Sequence, residues 1–111
     1  MLEGKMEKTL PDVCRGELHI CPDGRNVWLE KHPLTLTRYE FDLLCLLARH
    51  PGRVFTKEQI YTHIWKEEIS ILDNAVQCVI SSLRRKLKKY TDTEYIQTVW
   101  GIGYKFIVPE A

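Results

Sequence analysis

The spacing of apolar residues changes rhythm along the chain, from alternation to a helical period and back to alternation. In "ELHICPDGRNVWLE" (17–30), short alternating runs flank Pro22-Asp23-Gly24. Pro fixes φ there and Gly accepts positive φ, which predicts a turn between two strands. "PLTL" from Pro33 is a further extended piece, so the chain opens with a small antiparallel sheet. "LTRYEFDLLCLLARHPG" then takes a helical period. Thr37 and Glu40 have the spacing of a capping box, Phe41, Leu43, Leu44, Leu47 and Ala48 form its apolar stripe, and Pro51-Gly52 stops it. "RVF" leaves room for a very short strand, and a second capping box, Thr56 to Gln59, opens a second helix ending soon after Trp65.

A third helix is predicted from Asp73 or Asn74 to about Lys89. At about 100° per residue, Val76, Ile80, Leu83 and Leu87 share one face. The opposite face carries Asn74, Cys78, Ser81, Arg85 and Lys88, flanked by Gln77, Ser82, Arg84 and Lys89. That face is small and polar at its start and basic at its end. "YIQTVWGIGYKFIV" closes the chain as two strands around Trp100-Gly101-Ile102-Gly103, with Tyr104 and Phe106 facing inward and Lys105 outward. The two glycines let the turn reach positive φ and let backbone approach a neighbour. Sheet, helix, short strand, two helices and a hairpin make an α+β fold on the winged helix-turn-helix plan.

Composition adjusts this picture only slightly. With 111 residues, 44% hydrophobic, 28% charged and a net charge of +1, the chain suits one soluble domain. The polar, aperiodic residues 1–8 read as a disordered or expression-derived tail, with Met6 a candidate native start, and 9–111 as the domain. No apolar run spans a bilayer. Cys14, Cys21, Cys45 and Cys78 form no C-x-x-C, and the histidines lack zinc-finger spacing, so no metal or disulfide framework is expected. Cys45 is read as a small buried hydrophobe. Free thiols fit a cytoplasmic setting.

Three blocks then become specific in combination: "LTRYEFDLLCLLARHPGRVFTKEQIYTHIW", "VISSLRRKL" and "TVWGIGYKF". In order and spacing they resemble the C-terminal effector domain of bacterial OmpR/PhoB-type response regulators, from about Glu17 to Val108. The resemblance implies a four-stranded N-terminal sheet, three helices and a C-terminal wing, in a transcriptional regulator of a two-component phosphorelay. It implies that the third helix enters the major groove of double-stranded DNA and the wing the adjacent minor groove. It also implies two copies on direct-repeat half-sites. The loop Lys66-Glu67-Glu68-Ile69-Ser70-Ile71-Leu72 would contact RNA polymerase, although these apolar residues can equally fold back onto the helices. A receiver domain usually precedes such domains; the chain has no room for one and is read as an excised domain or a stand-alone regulator.

On this reading base edges fall to Asn74, Gln77, Cys78 and Ser82, with Ser81 on the same face. Arg84, Arg85, Lys86 and Lys88 meet phosphates. Thr56 and Lys57 offer a helix start to a further phosphate, and Thr98, Trp100, Gly101 and Lys105 belong to the wing. The sequence departs from the family pattern at Gln77, Val79, Ser81 and Ser82, and most of all at Trp100, where the family commonly has arginine. Trp100 either stacks on sugars or covers the hairpin. Trp65 is assigned to the core or its edge. "GIG" is no dinucleotide fingerprint, because it opens no helix, and no nucleophile motif is present. No catalytic residue and no cofactor are expected. A winged helix used for protein interaction is the alternative.

Overall fold

The computed structural model describes residues 11–66 and 74–108. Four antiparallel strands, β1 (Val13–Arg15), β2 (Leu18–Cys21), β3 (Asn26–Leu29) and β4 (His32–Leu34), form a meander. Its inner face contributes Val13, Leu18, Ile20, Val27 and Leu29 to the core, as alternation requires. The turn between β2 and β3 differs from expectation. Arg25, not Gly24, takes the left-handed conformation, at φ 55°. A turn hydrogen bond and two tertiary contacts hold it there. Its N–H donates to Pro22 O at 3.2 Å, its guanidinium pairs with Asp42 at 3.0 Å, and the same group lies over the Phe41 ring at 4.4 Å.

Helix α1 (Arg38–Arg49) carries both hydrogen bonds of its capping box. The Glu40 N–H donates to Thr37 Oγ1 at 3.2 Å, and the Thr37 N–H donates to Glu40 Oε1 at 2.9 Å. The predicted stripe is buried, together with Leu46. Cys45 is only half-buried, on the flank of that stripe, where burial pushes its thiol pKa up. Gly52 ends the helical segment at φ +84°, and its N–H donates to Phe106 O at 2.8 Å.

Strand β5 (Val54–Thr56) leads into α2 (Lys57–Trp65), whose Thr56–Gln59 capping box is likewise complete. Trp65 sits at the core edge, stacked on Tyr39 and Tyr61 with ring centroids 4.6 and 4.8 Å away. Helix α3 (Ala75–Lys88) buries Val76, Ile80, Leu83 and Leu87, the four residues its period selects. Strands β6 (Ile96–Val99) and β7 (Gly103–Phe106) form the hairpin, and β5 adds to it, giving the order β5-β7-β6. That third strand explains Gly103. A Cβ at this position would lie 1.9 Å from Phe55 O, so only glycine lets β5 pair here. The two glycines therefore divide the work, for Gly101 alone takes positive φ, at +78°.

Candidate nucleic-acid interface

Helix α3 presents its polar face outward. Asn74, Gln77, Cys78, Ser81, Arg85 and Lys88 are all exposed. Asn74 precedes the helix without a side-chain capping bond, and its Oδ1 lies 3.9 Å from Cys78 Sγ. The residues on the helix flanks behave differently. Ser82 donates its hydroxyl to Glu40 Oε2, and Lys86 Nζ donates to Glu40 Oε1 at 2.6 Å and to Thr35 O at 3.0 Å. Ser82 and Lys86 are thus engaged within the protein, whereas the sequence pattern points to base and phosphate contacts for them. Ser82 lies on the flank that meets Glu40, and the long stem of Lys86 lets it curl its charge back to the same buried carboxylate.

Glu40 is the one buried charged residue among those described, with 3% of its surface exposed. Burial raises its pKa. The hydrogen bonds from Lys86, Ser82 and the Thr37 N–H, with the charge of Lys86, more than offset this and hold the carboxyl below its ordinary value. A single carboxylate therefore caps α1 and grips α3 at two positions one turn apart. Sequence alone suggests only the cap.

Arg84 makes the second tether. Its Nη2 donates to Ile96 O at 3.0 Å and Thr98 Oγ1 at 2.8 Å, and its guanidinium lies 5.8 Å from the centre of the Tyr104 ring. It fastens the wing to α3, so this arginine is engaged within the protein and not presented as a free cation. Thr98 is the acceptor of that tether.

The wing, the start of α2 and α3 enclose an open cleft of 300 Å³, lined by Lys57, Gln77, Thr98, Trp100 and Gly101 among others. Five of the expected residues, drawn from three separate elements, meet there. Glu58 and Ile102 line the same cleft, although their sequence pattern marks neither as a site residue. An isoleucine between two glycines in a turn is the signal that could have marked Ile102. Thr56 spends its hydroxyl on the cap, accepting from the Gln59 N–H at 3.0 Å. Lys105 is half-buried on the opposite face of β7 from Tyr104, and it does not line the cleft. Trp100 is 88% exposed at the hairpin tip, so it does not cover the hairpin. Lys66 is exposed and ends α2 in a left-handed conformation. Glu67, Glu68, Ile69, Ser70, Ile71 and Leu72 lie outside the described residues, as does the tail 1–8.

Among the described residues no group of three His, Cys, Asp or Glu side chains is arranged to hold a metal ion, and no helix is long and apolar enough to cross a membrane.

Three helices, an N-terminal sheet and a three-stranded wing beside an exposed polar helix define a winged helix-turn-helix protein of the OmpR/PhoB type. The family described as "Transcriptional regulatory protein, C terminal" matches residues 31–106, and the chain belongs to it. That family groups it with the C-terminal domains of response regulators, among whose solved structures are DNA-binding domains. The chain is 43% identical over 90 residues to the uncharacterized transcriptional regulatory protein YcbL of Bacillus subtilis, covering 80% of this chain and 40% of that protein. It is 36% identical over 104 residues to the response regulator ArlR of Staphylococcus haemolyticus, covering 94% and 47%. The chain thus spans less than half the length of these curated relatives. The DNA-binding domain of RstA from Klebsiella pneumoniae, solved in complex with the RstA box, superposes with a TM-score of 0.80 at 30% identity, covering 88% of this chain and 98% of that one.

Proposed function

We propose that this domain binds double-stranded DNA sequence-specifically, with α3 in the major groove and the wing at the minor groove. The observation that carries this reading is the cleft in which Lys57, Gln77, Thr98 and Trp100 converge beside the exposed face of α3. A B-DNA major groove about 12 Å wide admits an α-helix, and phosphate contacts fix register while base contacts read sequence. Asn74, Gln77, Cys78 and Ser81 are the side chains available to base edges. Asn and Gln suit adenine, and Cys78 suits a thymine methyl. Lys57 at the start of α2, with Arg85 and Lys88, neutralises phosphates, and the cap at Thr56 leaves backbone N–H groups of α2 turned toward an anion. Arg84, Lys86 and Ser82 hold the reading head in place.

The RstA domain, solved with its DNA box, supports the same use here. By analogy with the response-regulator relatives, the domain acts in the bacterial cytoplasm, in two copies on direct-repeat half-sites and under a receiver domain. The segment 66–72 is the candidate contact to RNA polymerase.

A salt titration tests this. Three phosphate contacts predict that log Kobs falls with log[salt] with a slope of about −2.7. No measurable affinity for any duplex at low salt would sink the proposal and leave a protein-interaction role.

A further inference from the structure

The wing ends in an apolar tip. Trp100 is 88% exposed and its neighbour Ile102 56% exposed, in a hairpin turn where polar residues cost nothing. This tip is held firmly. Gly101 takes φ +78°, the Ile102 N–H donates to Val99 O at 2.9 Å, and β6 is fastened to α3 through Arg84. On its other side β7 pairs with β5, which runs directly into α2. An indole and a branched aliphatic side chain therefore stand at a set offset from the reading helix, on the rim of the cleft they share with Lys57 and Gln77.

We infer that Trp100, backed by Ile102, is a specificity-determining wedge that meets the minor groove through apolar contact and selects DNA by its deformability. This rests on the DNA-binding reading above. The minor groove is only about 6 Å wide, and apolar wedges enter it by partly unstacking a base step. Pyrimidine–purine steps such as TA and CA yield easily, whereas A-tracts are stiff and narrow and reward an inserted cation. A tryptophan here favours deformable steps under the wing and disfavours A-tracts. An apolar contact releases no counterion, so its contribution is independent of salt.

The test uses the intact chain. Selection from a random duplex library supplies a core site, which is then flanked on the wing side by either TA steps or an A-tract. The wild type binds the TA-flanked duplex more tightly. Trp100→Ala loses about tenfold on it, as expected for one base–aromatic contact, with the salt slope unchanged, and it no longer distinguishes the flanks. Trp100→Phe retains most of the preference. Trp100→Arg steepens the salt slope by about 0.9 and prefers the A-tract. Wild-type affinity of Trp100→Ala for the TA-flanked duplex, or a wild-type preference for the A-tract, overturns the wedge alone. Failure of the wild type to bind any library duplex overturns the DNA-binding reading beneath it.

Discussion

Replacing Glu40 by glutamine tests how α3 is held. The substitution keeps an oxygen to accept from the Thr37 N–H, and it can still meet Ser82, but it removes the charge facing Lys86. Removing one partner of a fully buried ion pair costs about 3–5 kcal/mol, most of it from the charge left behind. Here the Glu40 side chain is 4% exposed but that of Lys86 is 36% exposed, so the stranded ammonium can turn to water. The expected loss is accordingly smaller, about 2 kcal/mol, close to one strong charge-assisted hydrogen bond. For a domain of this size that lowers Tm by about 10 °C. Urea denaturation of the wild type, Glu40→Gln, Lys86→Met and the double variant gives the coupling directly, with an expected interaction above about 1 kcal/mol. The dependence on pH follows from the direction of the shift. The folded carboxyl titrates below its ordinary value of 4.5, so the unfolded chain binds more protons through that window. The stabilisation is complete above the unfolded value and disappears as pH falls through the folded one. The gap between wild type and Glu40→Gln should therefore close under acid. A coupling near zero, or a gap constant from neutral to acid pH, would refute the reasoning.

The other predictions concern the wing, the start of α2 and the basic end of α3. Gly103→Ala forces a Cβ against the Phe55 carbonyl and should cost about 3 kcal/mol, read from urea unfolding; an unchanged midpoint would mean that β5 does not approach β7 this closely. Thr56→Ala removes one α2 cap and should cost about 1 kcal/mol in the same measurement. Arg85→Ala and Lys88→Ala should each weaken binding on all duplexes alike and lower the salt slope by about 0.9 without changing stability. Lys86→Ala should do the reverse, lowering stability while leaving the slope within error, and a slope change as large as that of Arg85→Ala would return Lys86 to the phosphate contacts.

Local rules made much of this legible. The period of α3 separates its four buried residues from its exposed face, and the T-x-x-E and T-x-x-Q spacings mark two helix starts, because caps and amphipathic faces depend on neighbours three or four positions apart. Tertiary commitments were not legible. Lys86 reaches a carboxylate 46 positions away, and Arg84 reaches a carbonyl across the wing. Periodicity assigns such long side chains to a face by their Cα alone. Strand β1 is three residues long, too short for alternation to stand out in the sequence. The pairing of β5 with β7 was hidden because Gly103 looked like a turn residue, although its need is space and not φ. Trp100 was visible as an oddity at once, yet only its exposure shows that it is not part of the hairpin's own packing.

One face, made of α3, the start of α2 and the wing, is proposed to receive DNA. Backbone amide shifts of the labelled domain, followed by NMR on titration with a library-selected duplex, test it most directly. Perturbations should concentrate at Asn74–Lys88, Thr56–Lys57 and Thr98–Ile102, and leave the outer face of β1–β4 unmoved. Shifts concentrated on that sheet, with α3 and the wing silent, would contradict it.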